Sequence, residues 1–377
     1  MILIKRILEE TLKERFEDNK VFLLFGPRRV GKTVLVKEIY RNFAEGKMYL
    51  NAEDEQVNKL LEERSISNYR QLFGQTKLLI IDEAQIIKDI GMKLKLIIDE
   101  IEGIKVIATG SSSFDILNLA GEPLTGRSRT FTLFPLAQME FSQTENLLET
   151  TQMLEARLIY GSYPELVKYE NPEHKKEYLF DLVNAYLLKD ILAIEGLRNA
   201  HKMKDLLKLI ALQIGNELAY DELGKQLGLS KNTVEKYLDL LTKIFVIYRL
   251  DSYSGNLRKE LRKSKKYYFY DNGVRNAIIS EFSPLSLRND TGQLWENYLI
   301  SERIKKHSYQ RKHVNTYFWR TYDQQEIDLV EESDRKLNAY EIKWKSDKFK
   351  VPAAWKNAYP DATIELINND NYLSWIR

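Results

Sequence analysis

A glycine-rich segment close to the amino terminus constrains this chain more than any other feature. Residues 21–25 (VFLLF) form an apolar run typical of a buried strand, and residues 26–33 (GPRRVGKT) fit the pattern G-x-x-x-x-G-K-[ST]. Glycines allow backbone N–H groups to curl around an anion, and the helix that follows points the positive end of its dipole toward that anion. The segment therefore predicts a strand, a phosphate-binding loop and a helix in succession.

The loop also predicts which residues hold a nucleotide. Lys32 is expected to reach the β- and γ-phosphates, and the Thr33 hydroxyl is expected to be a ligand of Mg²⁺. ATP and Mg²⁺ are the cofactors that this pattern indicates. The predicted nucleotide-binding residues of the loop are Gly26, Pro27, Arg28, Arg29, Val30, Gly31, Lys32, Thr33 and Val34.

A second nucleotide signature follows about fifty residues on, where KLLIIDEAQ predicts a strand that ends in Asp82 and Glu83. This is a Walker B box. Asp82 is expected to hold Mg²⁺ through water, and Glu83 is expected to polarise the water that attacks the γ-phosphate. Such a pair is also common where helices begin, but its position after the phosphate-binding loop favours the catalytic interpretation.

The next strand, KVIATG, ends in Thr109 and is followed by the polar run Ser111, Ser112 and Ser113. A hydroxyl in this run, with Ser111 as the candidate, is expected beside the Walker B carboxylates, where it would sense the γ-phosphate or orient water. The alternative is a serine-rich helix cap. Strands near residues 21, 48, 78 and 105 alternate with helical stretches, and this alternation predicts a parallel sheet flanked by helices.

Composition limits the classes to which the chain can belong. With 377 residues the chain exceeds what one hydrophobic core usually serves, and it contains no cysteine. Disulfides and thiolate metal sites are therefore excluded, and the four histidines show no metal-ligand spacing. No apolar run approaches the roughly 20 residues of a membrane span, so we expect a cytoplasmic protein with no membrane partner.

An ordered set of segments gives the chain a family resemblance. GPRRVGKT, LLIIDEAQ, ATGSSS, LTGRSRTFTLFPLAQMEF, GSYPE, KYLDLLTKIFVIYRL, KYYFYDNG and GQLWENYL occur in that order. The set resembles predicted AAA+-superfamily ATPases of bacteria and archaea that join an AAA-type domain to a carboxy-terminal domain of unknown function.

The resemblance implies roles for two further residues. Arg127 in LTGR resembles the family's arginine, which would contact the γ-phosphate in cis or across a subunit boundary of a homo-oligomer; the alternative is a surface arginine before a strand. Pro164 in GSYPE is similar to an element that rests a helical lid against the adenine, although Ser162 stands where a second glycine is usual.

The middle of the chain predicts a winged helix-turn-helix. HKMKDLLKLIALQIG, AYDELGKQLGL and SKNTVEKYLDLLTKI read as three helices, and two apolar strands follow. The third helix is expected to expose Lys231, Asn232, Lys236 and Lys243. The segment NLRKELRKSKK between the strands carries six basic residues against one glutamate, so we expect a wing that lies along DNA phosphates. A protein-interaction module is the competing interpretation.

The last hundred residues predict three sequential strands, at residues 315–321, 325–331 and 336–344. With Glu296 on a preceding helix, Asp328 on a strand and then Glu341 and Lys343, the pattern resembles the PD-(D/E)XK nuclease fold. By that resemblance Asp328, Glu341 and Glu296 would bind Mg²⁺, and Lys343 would orient or deprotonate water. Charge alternation on an exposed strand, or an inactive nuclease-like relic, are the alternatives.

The sequence thus predicts an α/β protein with a P-loop parallel sheet, a helical lid, a winged helix and an α/β nuclease-like domain. The expected boundaries are 1–135, 136–200, 201–282 and 283–377 for the four parts in that order. The predicted function is ATP hydrolysis coupled to action on DNA, with a possible Mg²⁺-dependent nuclease. The alternative is an ATP-driven switch that binds a protein and carries an inactive nuclease-like domain.

Overall fold

The computed structural model describes residues 4–111, 123–187, 200–255, 265–346 and 348–377. The chain forms two compact units. One consists of Lys5–Phe134 with Lys243–Phe245, and the other of Met1–Ile4, Pro135–Thr242 and Val246–Arg377. The division after Phe134 lies beside the boundary that the sequence predicts at residue 135.

The first unit alternates strands and helices along the chain. Its strands are β1 (Lys20–Phe25), β2 (Lys47–Asn51), β3 (Leu78–Asp82), β4 (Lys105–Thr109) and β5 (Ser128–Thr132). Its helices are α1 (Ile7–Glu14), α2 (Lys32–Asn42), α3 (Glu55–Leu60), α4 (Ile66–Phe73) and α5 (Ile90–Glu100), with a 3-10 turn at Ala84–Ile86.

The described strands of this unit form one parallel sheet in the order β2-β3-β4-β1-β5. Strands β1 and β3 are apolar and buried, as expected for a parallel sheet that is covered on both faces. This confirms the predicted parallel sheet. Because all five strands run in one direction, the residues that follow β1, β3 and β4 lie at the same edge of the sheet.

The second unit contains the remaining elements. Its helices are α6 (Gln138–Phe141), α7 (Leu147–Tyr160), α8 (Pro172–Asp181), α9 (Ala200–Leu212), α10 (Tyr220–Leu227), α11 (Lys231–Lys243), α12 (Asn272–Ile279), α13 (Thr291–Tyr309), α14 (Ala353–Ala358) and α15 (Tyr372–Ile376). Its strands are β6 (Glu217–Leu218), β7 (Ile247–Ser252), β8 (Lys265–Phe269), β9 (Asn315–Arg320), β10 (Glu326–Ser333), β11 (Lys336–Ile342) and β12 (Thr363–Ile367).

The described strands of the second unit belong to one sheet, in the order β12-β11-β10-β9-β7-β8-β6. Strand β7 pairs antiparallel with β8 and parallel with β9, so the strands after the helix-turn-helix segment continue into those of the nuclease-like segment. The segments that the sequence separates at residues 200 and 282 therefore share a compact unit, and those boundaries stay predictions.

Two of the family-like segments meet in a buried polar contact within this unit. The Asp271 carboxylate accepts a hydrogen bond from the backbone N–H of Ser162 at 2.7 Å. Gly161 has φ +75°, and a Cβ there would lie 2.0 Å from Asp271 Oδ1. A Cβ on Gly273 would lie 1.9 Å from the carbonyl oxygen of Tyr160. The segments GSYPE and YDNG therefore pack so closely against each other that only glycine fits at positions 161 and 273.

Candidate functional site

The phosphate-binding loop lies between β1 and α2, where the sequence predicts it. Gly26 has φ +150°, and a Cβ there would lie 2.1 Å from the carbonyl oxygen of Leu133. Gly31 has φ +97° and directly precedes α2. Both glycines are thus required by backbone geometry, and the loop they form ends at the amino end of a helix of 11 residues.

Lys32 is the first residue of α2, and its side chain is almost fully buried. Its ammonium donates hydrogen bonds to the carbonyl oxygens of Gly26 at 2.8 Å and Pro27 at 2.9 Å. The positive charge is therefore held against the loop itself, where β- and γ-phosphates bind in P-loop proteins. Of the other loop residues, Arg28 is half-buried, whereas Arg29 and Val34 are exposed.

Arg6 is a positioning residue that sequence reasoning missed. Its buried guanidinium donates to the carbonyl oxygens of Val30 in the loop and Phe134 beyond β5, each at 2.6 Å. Arg6 thereby connects the loop after β1 to the segment that follows the neighbouring strand, β5. No motif surrounds Arg6, so nothing in the local sequence indicates the role.

The Walker B aspartate is held by hydroxyl groups from the two neighbouring strands. Asp82 is buried at the end of β3; its Oδ1 accepts from the Thr109 hydroxyl at 2.5 Å and its Oδ2 from the Tyr49 hydroxyl at 2.7 Å. Burial, together with the bond to Asp82, raises the pKa of Tyr49 above its usual value, so the phenol stays protonated and donates. The strand order, with β3 between β2 and β4, brings the three side chains together.

Glu83 is fixed by the same hydroxyl. Its backbone N–H donates to Thr109 Oγ1 at 3.0 Å, and its carboxylate accepts from Gln85 Nε2 at 2.6 Å. Glu83 has φ +54°, an uncommon left-handed conformation for a residue other than glycine. Thr109 thus joins the aspartate expected to bind the metal to the residue expected to polarise water.

The hydroxyl beside Asp82 belongs to Thr109, the last residue of β4, and not to the predicted candidate Ser111. It is Thr109 that contacts Asp82, whereas the structure gives Ser111, a buried residue, no hydrogen bond to Asp82 or Glu83 within the described part of the chain. Ser112 and Ser113 lie outside the described residues.

The oxygen atoms available at this edge of the sheet are suitable ligands for a magnesium ion. Mg²⁺ prefers oxygen ligands and keeps several waters, so it is usually held by one or two protein groups together with phosphate oxygens. Asp82 supplies a buried carboxylate that hydroxyl groups already orient, and Thr33 is half-buried in the first turn of α2. Thr33 and Asp82 are the residues that would hold the ion.

We expect Thr109→Val to lower the turnover number for ATP about 10- to 100-fold, the usual cost of losing an outer-shell partner of a metal-site residue. Valine keeps the shape but removes both the donor to Asp82 and the acceptor for Glu83. Steady-state phosphate release at saturating ATP measures the effect, and Thr109→Ser, which keeps the hydroxyl, is the matched control. Wild-type turnover in Thr109→Val would contradict the assignment.

Arg127 is not near the nucleotide loop of its own chain. It precedes β5, and its carbonyl accepts from the N–H of Val21, at the amino end of β1. The loop begins after the opposite end of β1, about 17 Å away at the rise of an extended strand. Its guanidinium pairs with Asp99 at 2.9 Å on the surface. The cis alternative is therefore wrong, while contact with a neighbouring subunit's nucleotide stays a prediction.

Pro164 belongs to the second unit, where it begins a 3-10 turn, Pro164–Lys168. The GSYPE segment that contains it is held by the contact between Ser162 and Asp271. Its predicted contact with adenine stays a prediction.

The nuclease-like residues are gathered around one end of β10 and β11. Asp328 is buried and accepts from the N–H of Ile342 at 2.8 Å, which joins the two strands. Glu341 is buried on β11, and its Oε1 lies 2.6 Å from Lys343 Nζ. The other oxygen of Glu341 is buried without a hydrogen-bond partner among the described residues. Burial and the charge of Asp328 raise the pKa of Glu341.

The charged form of Lys343 is stabilised by its neighbours. Burial lowers its pKa, but the hydrogen bond to Glu341 and the charges of Asp328 and Glu296 outweigh burial, so the pKa is raised above its usual value. The predicted role of Lys343, to orient or deprotonate water, stays a prediction.

The three carboxylates expected to bind a metal do not form a metal-binding group. Among the described residues, no cluster of three or more Asp, Glu, His or Cys side chains stands in a position to hold a metal ion. Glu296 is instead engaged by neighbouring donors: its Oε1 accepts from the Tyr268 hydroxyl at 2.6 Å and lies 3.8 Å from Lys266 Nζ. The predicted metal set of Glu296, Asp328 and Glu341 is therefore not assembled among the described side chains as they stand, and it stays a prediction.

The predicted wing is shorter than the sequence suggested. Two of its six basic residues, Lys265 and Lys266, belong to β8. Lys266 is 2% exposed, because its ammonium bonds to Glu326 rather than facing solvent. The other four basic residues, Arg258, Lys259, Arg262 and Lys263, lie outside the described residues.

The third helix of the helix-turn-helix segment, α11, borders a groove. Lys231, Asn232 and Lys236 are exposed as expected, whereas Lys243 is half-buried. The groove has a volume of about 630 Å³ and lies between α11 and the strands β7 and β8. Its lining comprises Tyr220, Asn232, Glu235, Lys236, Asp239, Thr242, Tyr248, Arg249, Asp251, Lys265, Tyr267 and Tyr270. Acidic and basic residues balance in this lining.

Three family models match successive parts of the chain. Residues 18–142 match a model described as an AAA domain. Residues 151–286 and 291–367 match two models that are each described as a domain of unknown function. No helix in the described part of the chain is long and apolar enough to cross a membrane.

Similar proteins are known in bacteria and archaea. An uncharacterized protein of Mycobacterium tuberculosis is 25% identical over 346 residues, which cover 91% of this chain and 74% of the relative. An uncharacterized protein of Methanocaldococcus jannaschii is 22% identical over 382 residues, covering 96% and 84%.

A solved structure of a Signal Transduction ATPase with Numerous Domains (STAND) protein with a tetratricopeptide repeat sensor, from Pyrococcus horikoshii, covers 81% of this chain at 14% identity. This chain spans 46% of that protein, and the TM-score of 0.32 is too low to establish a common fold.

The loop geometry, the Asp82 and Glu83 pair and the similarity of residues 18–142 to an AAA domain together support one class of protein, a nucleotide-hydrolysing ATPase. Beyond residue 142 the chain is similar to domains of unknown function and to uncharacterized proteins.

Proposed function

We propose that this ATPase acts on DNA and couples ATP hydrolysis to a rearrangement of its second unit. The hydrogen-bonded set of Thr109, Asp82 and Glu83 is the observation that carries hydrolysis, because it aligns a metal-binding carboxylate and a water-polarising carboxylate at one strand edge. Lys32 and the loop amides bind the phosphates, Thr33 and Asp82 hold Mg²⁺, and Glu83 activates water.

Action on DNA is supported by the helix-turn-helix segment. Helix α11 follows α10 after a short turn and carries Lys231, Asn232 and Lys236 on its exposed side. Lysines of this kind neutralise phosphates, and the amino end of such a helix is suited to a major groove. The basic residues between β7 and β8 add positive charge nearby in the sequence.

The charge balance of the groove beside α11 favours a second candidate, an ATP-driven switch that binds a protein partner. Glu235, Asp239 and Asp251 offset Lys236, Arg249 and Lys265 in its lining, and a surface of mixed charge with several tyrosines is typical of protein contacts. Metal-dependent cleavage by Asp328, Glu341 and Lys343 is not part of either proposal, because the described carboxylates do not converge on a metal position.

DNA-stimulated ATP turnover separates the two candidates. We expect linear, branched or single-stranded DNA to raise turnover and to bind with an affinity that falls as salt increases. Combining Lys231→Ala with Lys236→Ala should lower the log–log salt slope by about 2, since each lost phosphate contact removes roughly 0.9.

The matched control combines Lys204→Ala with Lys208→Ala, which removes the same charge from the exposed side of α9. The two charge-matched variants should differ in salt slope if α11 contacts phosphates. Identical slopes, together with turnover that no DNA changes, would favour the protein-binding switch.

A further inference from the structure

A buried lysine lies among the carboxylates of the nuclease-like site. Lys266 is on β8, and its ammonium is hydrogen-bonded to Glu326 of β10 and lies 3.8 Å from Glu296 of α13. The ammonium also lies 5.3 Å from the centre of the Phe318 ring, so an aromatic face covers it on another side.

The carboxylates hold this lysine as a cation. Its ammonium is hydrogen-bonded to Glu326 and lies 3.8 Å from Glu296, and the charge of Asp328 also attracts it. A single ammonium thus offsets charge on three carboxylates, which is the electrostatic task of a divalent ion in a metal-dependent nuclease.

Three carboxylates of this cluster each already accept a hydrogen bond at one oxygen. Tyr268 donates to Glu296, Lys266 donates to Glu326, and the N–H of Ile342 donates to Asp328. Glu341 keeps one buried oxygen without a partner among the described residues, but one such oxygen does not make a metal site.

We propose that Lys266 takes the place of the divalent cation in this nuclease-like cluster, so that the site excludes Mg²⁺ and does not cleave DNA. The lysine is part of a paired strand and is 2% exposed, so it cannot withdraw to solvent without opening the sheet. The cluster is a salt-bridged structural element that retains the residue types of a metal site.

The test is a titration with Mn²⁺ by isothermal calorimetry in the absence of nucleotide. The wild-type protein should show no saturable binding that depends on Asp328. Lys266→Met, which keeps the length of the side chain but removes its charge, should bind Mn²⁺ saturably and on the order of 100-fold more tightly than the wild type, because a positive charge 3.8 Å from Glu296 no longer opposes the ion. Lys266→Arg keeps the charge and should behave as the wild type does.

Two controls keep the result interpretable. The gain in Lys266→Met should disappear when Asp328→Asn is added, which separates this site from Asp82 in the ATPase unit. If Lys266→Met fails to fold, the variant Lys266→Met with Glu326→Gln removes both partners of the buried pair, which is tolerated better than removal of one, and it should show the same gain.

The proposal fails if the wild-type protein binds Mn²⁺ saturably and Asp328→Asn abolishes that binding. It also fails if a folded variant without the charge of Lys266 gains no Mn²⁺ affinity. ATP turnover should be unchanged in these variants, because the phosphate-binding loop, Asp82 and Glu83 lie within Lys5–Phe134. The outcome is therefore independent of the proposed ATPase function.

Discussion

Lys32→Ala is expected to abolish ATP turnover and Glu83→Gln is expected to trap bound ATP. Lys32 is expected to supply a charge-assisted contact to the β- and γ-phosphates, so its loss should lower kcat/KM by about 10³ or more and weaken nucleotide binding. Glu83→Gln keeps the size of the side chain but removes the charge that polarises water, and it should lower kcat by about 10²- to 10⁴-fold with binding retained.

A fluorescent ATP analogue measures binding, and phosphate release measures turnover. Lys59→Ala is a suitable control, because Lys59 is an exposed lysine on α3 of the same unit. Turnover at the wild-type rate in Glu83→Gln would remove the assignment of Glu83 as the water-activating residue. Normal ATP binding by Lys32→Ala would show that the loop amides alone hold the phosphates.

Gly161→Ala and Gly273→Ala are each expected to destabilise the second unit by about 2–5 kcal/mol. At Gly161 the left-handed conformation costs about 1–3 kcal/mol for alanine, and the new Cβ would displace the buried Asp271 carboxylate from its partners at a similar cost. At Gly273 the Cβ would meet a backbone carbonyl at 1.9 Å, so the chain itself must shift.

Urea unfolding followed by tryptophan fluorescence measures this effect selectively, because all five tryptophans lie after residue 290. Gly292→Ala is the matched control: a Cβ there meets nothing within 4 Å, and alanine in the first turn of α13 should stabilise by up to about 1 kcal/mol. Equal unfolding midpoints for all three variants would contradict the packing described for the two segments.

The local parts of the nucleotide site are predictable from sequence because they depend on neighbours in the chain. The loop needs glycines at fixed spacing, a strand before it and a helix after it, and all of these occur within 23 residues, from Lys20 to Asn42. The Asp82 and Glu83 pair is likewise read from the apolar run that precedes it. The motif therefore predicts both the elements and the side chains at their ends.

The parts of the site that depend on strand order are harder to predict from the sequence. Thr109 and Tyr49 reach Asp82 because β3 lies between β2 and β4, which no local pattern specifies. Arg127 precedes a strand next to β1, and only the parallel pairing shows that it lies at the opposite edge from the loop. Arg6 contacts the loop from 24 residues away without any motif.

The carboxy-terminal half shows the same division most clearly. Sequence alone determined the three strands around Asp328 and Glu341, because their alternation and turns are local features. The sequence also predicted that Lys266 belongs to a solvated basic loop, because a run of lysines and arginines ordinarily faces water. Only the tertiary structure, by joining β8 to the same sheet as β10 and covering both with α13, placed that charge among buried carboxylates, where pairing with Glu326 and Glu296 offsets the cost of desolvation.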